Sequence, residues 1–194
     1  MSILKVAQMG HPVLRTRAEE VTPEELRTPE VQRLIDDMLV TMREYQGVGL
    51  AAPQVHVGKR IAVIESHKNP RYPDAGDFAM RVLVNPVLTP LTGETIRWWE
   101  GCLSIPGIRG LVHRPVKIRV ECLDRDGAPQ EFVAEGFSAV VIQHETDHLD
   151  GVLYLDRMSD LRALAYQREY EEYWAPAEAT DDDPDPEPVK EAEA

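Results

Sequence analysis

The chain has 194 residues, 43% of them hydrophobic, with 21 basic side chains against 34 acidic ones, two cysteines and a net charge of −13. That length suits one domain, or at most two small ones, and the hydrophobic share is enough for a real core. The cysteine count excludes a disulfide scaffold, and no apolar run of about 18 residues is present to form a spanning helix.

The N-terminal segment MSILKVAQMGHPVLR has neither a signal-peptide apolar run nor an Arg/Ser-rich transit character, so a cytoplasmic protein is the expectation. The first strong helix signal follows Thr28-Pro29, a cap followed by a first-turn proline. From there Val31, Leu34, Ile35, Met38, Leu39 and Met42 recur at helical spacing up to about Tyr45, where Gly47-Val48-Gly49 stops the pattern. Residues 59–65 (KRIAVIE) read as a strand, and a polar stretch with Pro70, Pro73 and Gly76 reads as a loop. Residues 81–88 and 94–99 read as two more strands. Residues 116–123 then turn through Asp126-Gly127 into 131–134, a hairpin. Over 137–149 the period becomes helical, with Phe137, Val140, Val141, His144 and His148 on one stripe and Gly151 as the stop. Ser159 is placed to cap a last helix over 160–174.

From 175 to 194 eight acids stand against Lys190 alone, among four prolines. This segment carries −7 of the total and leaves −6 for residues 1–174. Such a composition cannot bury enough apolar surface to offset its ordering entropy, so a disordered tail is expected after a domain over 1–174. The mildly acidic body offers no basic patch, hence no direct nucleic-acid site.

The strongest chemical signal is His144-Glu145-Thr146-Asp147-His148. Residues four apart on a helix differ by about 400°, so both imidazoles leave the same face and can grip one metal ion. Glu145 lies about 100° round from His144, beside the metal without needing to ligate it, which suits a base acting on water. A single inward histidine is usually a satisfied core residue. Two at ligand spacing beside an inward carboxylate are poorly explained that way, because a buried carboxylate needs a partner.

Two histidines do not complete a site. No histidine follows His148, and Glu169, Glu171 and Glu172 fall on the last helix, where solvated charge is the ordinary role. The other candidate is Cys102 in Glu100-Gly101-Cys102-Leu103-Ser104, since a thiolate binds divalent metals well and Gly101 permits close approach. A solitary cysteine is more often a small buried apolar residue, and Cys122 is read as one. The loop Gly47-Val48-Gly49-Leu50-Ala51-Ala52-Pro53-Gln54 lacks the Gly-Lys-Ser/Thr ending of a phosphate loop. Its small residues permit close approach by an extended ligand, and Gln54 offers an uncharged donor to an oxyanion.

Taken together, GVGLAAPQ (47–54), EGCLS (100–104) and QHETDH (143–148) resemble the peptide deformylase family, whose pattern is GxGxAAxQ, EGCxS and QHExDH in that order. The resemblance extends through HPVLR (11–15) and covers about residues 4–174. It implies that Cys102, His144 and His148 hold the metal and leave a fourth position open. Glu145 would move the proton, the Gln54 amide and the Leu103 N–H would stabilise the oxyanion, and Glu100 would support a ligand. It further implies Fe(II), one per chain, with zinc, nickel or cobalt able to replace it in isolated protein.

The implied substrate is an N-formylmethionyl nascent peptide lying extended beside residues 47–50. Val48, Gly49, Gly101, Phe137, Val140 and the aliphatic side of His144 would surround it, with Trp98 a further candidate. Arg109 resembles a substrate-contacting arginine, a surface salt bridge being the plainer reading. The acidic tail suggests contact with basic ribosomal surfaces near the exit tunnel, and no membrane partner is expected. The expected fold is α+β: mixed, mainly antiparallel sheets around a central metal-binding helix, with N-terminal and C-terminal helices. The rival functions are another metallohydrolase that cuts internal peptide bonds, and an inactive protein that keeps the metal for structure.

Overall fold

The computed structural model describes residues 2–67 and 76–175. Most of the polar stretch around Pro70 and Pro73, and the acidic segment from residue 176 onward, lie outside the described residues.

A short helix, α1 (Pro23–Leu26), opens on a capping box between Thr22 and Glu25. The long helix α2 (Pro29–Glu44) starts where expected, with the Thr28 hydroxyl accepting from the Val31 N–H. Ile35, Met38 and Met42 of its apolar stripe are fully buried, and Val31 and Leu34 are partly buried. Strands β1 (Gly49–Ala51), β2 (Ile61–Ser66), β3 (Phe78–Pro90), β6 (Lys117–Leu123) and β7 (Pro129–Glu135) form one sheet in the order β1-β2-β3-β6-β7. The second sheet holds β4 (Thr95–Cys102), β5 (Ile105–Pro115) and β8 (Leu164–Tyr166) in the order β4-β5-β8. Every ladder between these strands is antiparallel. The parallel component among the described residues is a single bridge, Glu19 to Lys59.

Helix α3 (Phe137–Leu149) lies between the two sheets, against β1, β2 and β7 on one side and β5 on the other. The large sheet is therefore covered on both faces. Ala62 and Ile64 of β2 join the core shared with α3, while Ile61 and Val63 join the core shared with α2. That is why the run IAVI is uninterrupted instead of alternating. A third cluster, with Leu14, Val112, Leu153 and Tyr154, closes round Cys102 beneath the small sheet. Helix α4 (Tyr154–Arg157) supplies the tyrosine.

The end of the chain departs from the sequence reading. Residues 160–174 do not make one helix. A 3₁₀ turn (Leu161–Ala163) leads into β8, and only α5 (Gln167–Tyr173) is helical. The backbone of 164–166 pairs with Ile108–Gly110 at the free edge of β5, and that ladder outweighs local helix propensity. β5 was itself hidden by Pro106, Gly107 and Gly110, which interrupt any strand pattern.

Candidate active site

α3 carries the two histidines four residues apart, and their ring centroids stand 5.0 Å apart. From Ala139 to Leu149 the helix is buried all round, save half-buried Gln143. Its histidines thus face protein, not solvent. Cys102 ends β4, where the register shifts after the Gly101–Arg109 pair, and this turns its sulfur toward α3. The ligand atoms of Cys102, His144 and His148 lie within 4.8 Å of one another, and all three residues are buried. One thiol and two imidazoles gathered within that span are a donor set suited to a small divalent metal, with a small inward movement bringing all three to bonding distance. Glu169, Glu171 and Glu172 do not join the cluster; α5 packs instead against β5 and β8.

Each donor is held by a neighbour. The Cys102 sulfur lies 3.2 Å from His148 Nε2 and accepts from Gln54 Nε2 and the Ser104 N–H, each at 3.4 Å. Gln54 is aimed by its other end, where Oε1 accepts the Ala51 N–H at 2.8 Å. His144 Nδ1 meets Glu100 Oε2 at 2.7 Å, which turns Nε2 away from that carboxylate. Glu100 is clasped in turn by both arms of Arg114, at 2.7 and 2.9 Å. Arg114 Nη1 then reaches Asp147 Oδ2 at 2.6 Å, and Arg157 Nη2 reaches Asp147 Oδ1 at 2.7 Å. The path from His144 through Glu100 and Arg114 ends on Asp147, one turn further along the same helix. This closed ring fixes α3 against β4 and β5.

Sequence reading named Glu100 as a support but missed Arg114, Asp147 in this role, and Arg157. The only available signal was that two inward-facing carboxylates require cations. Which arginines answer them is a matter of packing.

The electrostatics follow from these contacts. Burial opposes charge on Glu100, but the hydrogen bonds from Arg114 and His144 outweigh it and hold the carboxyl at about 2. Burial lifts Glu145 to about 7. Its Oε2 is buried with no hydrogen-bond partner among the described residues. Burial and the neighbouring His144 push His148 well below the ordinary range.

Glu145 fits only because residue 49 is glycine, since a Cβ there would stand 2.3 Å from Glu145 Oε1. The close approach at Gly49 is thus made by the protein's own carboxylate. At Gly101 a Cβ would lie 3.0 Å from Arg109 Nη1.

A cleft of about 470 Å³ opens over this cluster. Gln54, Cys102, Leu103, His144 and Glu145 line its floor, and His148 lies behind them, 1% exposed. Val48, Gly49, Gly101, Phe137 and Val140 line its walls. Trp98 joins them, its ring 5.0 Å from that of Phe137. Arg109 is not on the wall. It is 2% exposed, donates from Nε to Gln167 Oε1 at 2.7 Å, and sits 5.5 Å from the Tyr170 ring. Its burial departs from the exposed placement that a surface salt bridge would need.

Comparison with known proteins agrees with this arrangement. Residues 3–163 match the sequence pattern described as polypeptide deformylase. The peptide deformylase of Leptospira biflexa is 42% identical over 170 residues, 87% of this chain and 95% of that protein. That of Pseudomonas aeruginosa is 47% identical over 162 residues, 84% and 90% respectively. A crystal structure of a class I type b peptide deformylase from Acinetobacter baumannii with Met-Ala-Ser bound superposes with a TM-score of 0.79 at 42% identity. It covers 81% of this chain and all of that one. On its fold, its three sequence motifs and these relatives, the chain belongs to the polypeptide deformylase family, which removes the formyl group from N-terminal formylmethionine.

Proposed function

We propose that this chain hydrolyses the N-terminal formyl amide of newly made proteins, releasing formate, with Cys102, His144 and His148 holding the metal and Glu145 moving the proton. One observation carries the reading. Three buried donors converge at metal-binding distances, and beside them a buried carboxylate oxygen lacks a hydrogen-bond partner among the described residues. A structural metal site has no use for such a carboxylate.

A divalent ion at these donors supplies Lewis acidity toward water and the formyl oxygen. The protein does the rest. Glu145 accepts the proton of the attacking water and returns it to the departing amine. The Gln54 amide and the Leu103 N–H donate to the oxygen on which charge develops. Gly49 keeps the cleft wide enough for Glu145 to reach the reacting atoms. Val48, Phe137 and Val140 form an apolar wall suited to the methionine side chain, with Gly101 leaving backbone room beside it. Arg109 packs against Gly101, where a Cβ would lie 3.0 Å from its Nη1, and so reaches the substrate only through that backbone. The bound Met-Ala-Ser of the Acinetobacter relative is the tripeptide that remains once formyl-Met-Ala-Ser has lost formate.

The resident ion we assign is Fe(II), with zinc, nickel or cobalt as substitutes, and the compartment is the cytoplasm. A ferrous thiolate is sensitive to oxygen, so iron-loaded enzyme should lose activity in air while nickel-loaded enzyme keeps it. Equal decay of the two would remove iron from the assignment.

The decisive experiment measures formate release from formyl-Met-Ala-Ser, with metal content, for wild type and Glu145→Ala. Loss of about 10²–10⁴ in rate at unchanged metal content is expected. Undiminished activity in the variant would overturn the role of Glu145. Cleavage of internal peptide bonds in place of formate release would identify a peptidase.

A further inference from the structure

A second cavity, of about 1030 Å³ and open to solvent, lies on the side of α3 turned away from the cleft, beside Gln143, Thr146, Asp147 and Asp150. Four arginines line it, Arg17, Arg60, Arg114 and Arg157. Arg114 has all three of its donor nitrogens engaged with Glu100 and Asp147. The other three have donors in reserve. Arg60 donates from Nη1 alone, to the Leu149 carbonyl at 3.2 Å and to Asp150 at 2.7 Å. Arg157 gives Nε and Nη2 to Asp147 and leaves Nη1. Arg17 stands 3.7 Å from Asp150, beyond hydrogen-bond reach, with its side chain largely exposed.

Once Glu100 is matched with Arg114, three guanidiniums remain opposite the carboxylates of Asp147 and Asp150. This is a concave, cation-rich wall in a body whose net charge over residues 1–174 is −6. Forked donors arriving from three separate chain segments suit an oxyanion, which can accept from all of them at once. We propose that this cavity binds a small oxyanion, a phosphate group either free or carried by a larger molecule. A carboxylate cluster shares that chemistry, and Asp181, Asp182 and Asp183 of this chain are a second source of it.

The test titrates the metal-loaded full chain with inorganic phosphate and follows arginine Nε–H and backbone amide resonances. Saturable one-site binding is expected, with shifts at Arg17, Thr146, Asp147 and Asp150. Arg17→Ala should weaken it about fivefold, the loss of one exposed charged contact. Arg162→Ala should not, because Arg162 lies off this wall, 83% exposed and paired with Asp160. Tighter phosphate binding when Asp181, Asp182 and Asp183 are changed to Asn would show the same donors occupied by the chain's own acids. Unchanged affinity would leave the free oxyanion as ligand. Shifts that grow linearly with concentration, that centre on Cys102 and His144, or that respond equally to both arginine substitutions would overturn the proposal.

Discussion

Glu145 and Gly49 show how one missing side chain sets the chemistry of another. Taking Glu145 out of water lifts its carboxyl to about 7, near the pH at which a group can both take and return a proton. It occupies that place because nothing projects from residue 49. In Gly49→Ala the new Cβ would lie 2.3 Å from Glu145 Oε1 and 2.7 Å from its Cδ, so the carboxylate must swing aside. Formate release is expected to fall by about two orders of magnitude. Metal content should hold, since the three atoms nearest that Cβ all belong to Glu145 and none to a donor residue. Full activity in this variant would show that Glu145 has room the structure does not display.

At the level of strands and helices, the metal helix depends on two strands it does not follow in sequence. Arg114 on β5 joins Glu100 on β4 to Asp147 on α3, and all three side chains are at most 9% exposed. Replacing Arg114 by Met leaves buried Glu100 with His144 alone and Asp147 with Arg157 alone, and is expected to cost about 3–5 kcal/mol, read by thermal unfolding. Because Glu100 orients His144, the folded variant should also release its metal more readily. A loss of about 10–100-fold in affinity is expected, measured by competition with a chelator. Arg114→Lys keeps the charge but not the fork and should fall between. Wild-type metal retention in Arg114→Met would mean that Glu100 holds His144 unaided.

For the protein taken entire, the acidic tail and the catalytic body are separable in charge. Deleting 176–194 moves the net charge from −13 to −6 and keeps the bond from the Ala175 N–H to the Tyr170 carbonyl at 2.7 Å. No residue of the cleft or the metal cluster is removed. Formate release should therefore be unchanged, and stability should move by less than about 0.5 kcal/mol. If the tail contacts basic ribosomal surfaces, co-sedimentation with ribosomes should drop on deletion and weaken with salt. Unchanged co-sedimentation would dispose of that contact.

The donor pair His144 and His148, the flanking Glu145 and the helix that carries them could be read from the amino-acid order, because helical spacing is a local property. The start of α2 at Thr28 and the run of β2 were local in the same way. Three motifs in a fixed order then supplied Cys102 and Gln54 by resemblance. Other features became apparent only once distant segments met. Residues 164–166 became a strand because β5 offered a free edge. Arg109 was buried because Gly101 faces it across a ladder. Gly49 proved necessary on account of a glutamate nearly a hundred positions away. The arginines that neutralise Glu100 and Asp147 were decided by packing alone, since charge pairing across separate elements leaves no period in the sequence. Local periodicity thus set which chemistry the chain can perform, and long-range contacts set where each group stands to perform it.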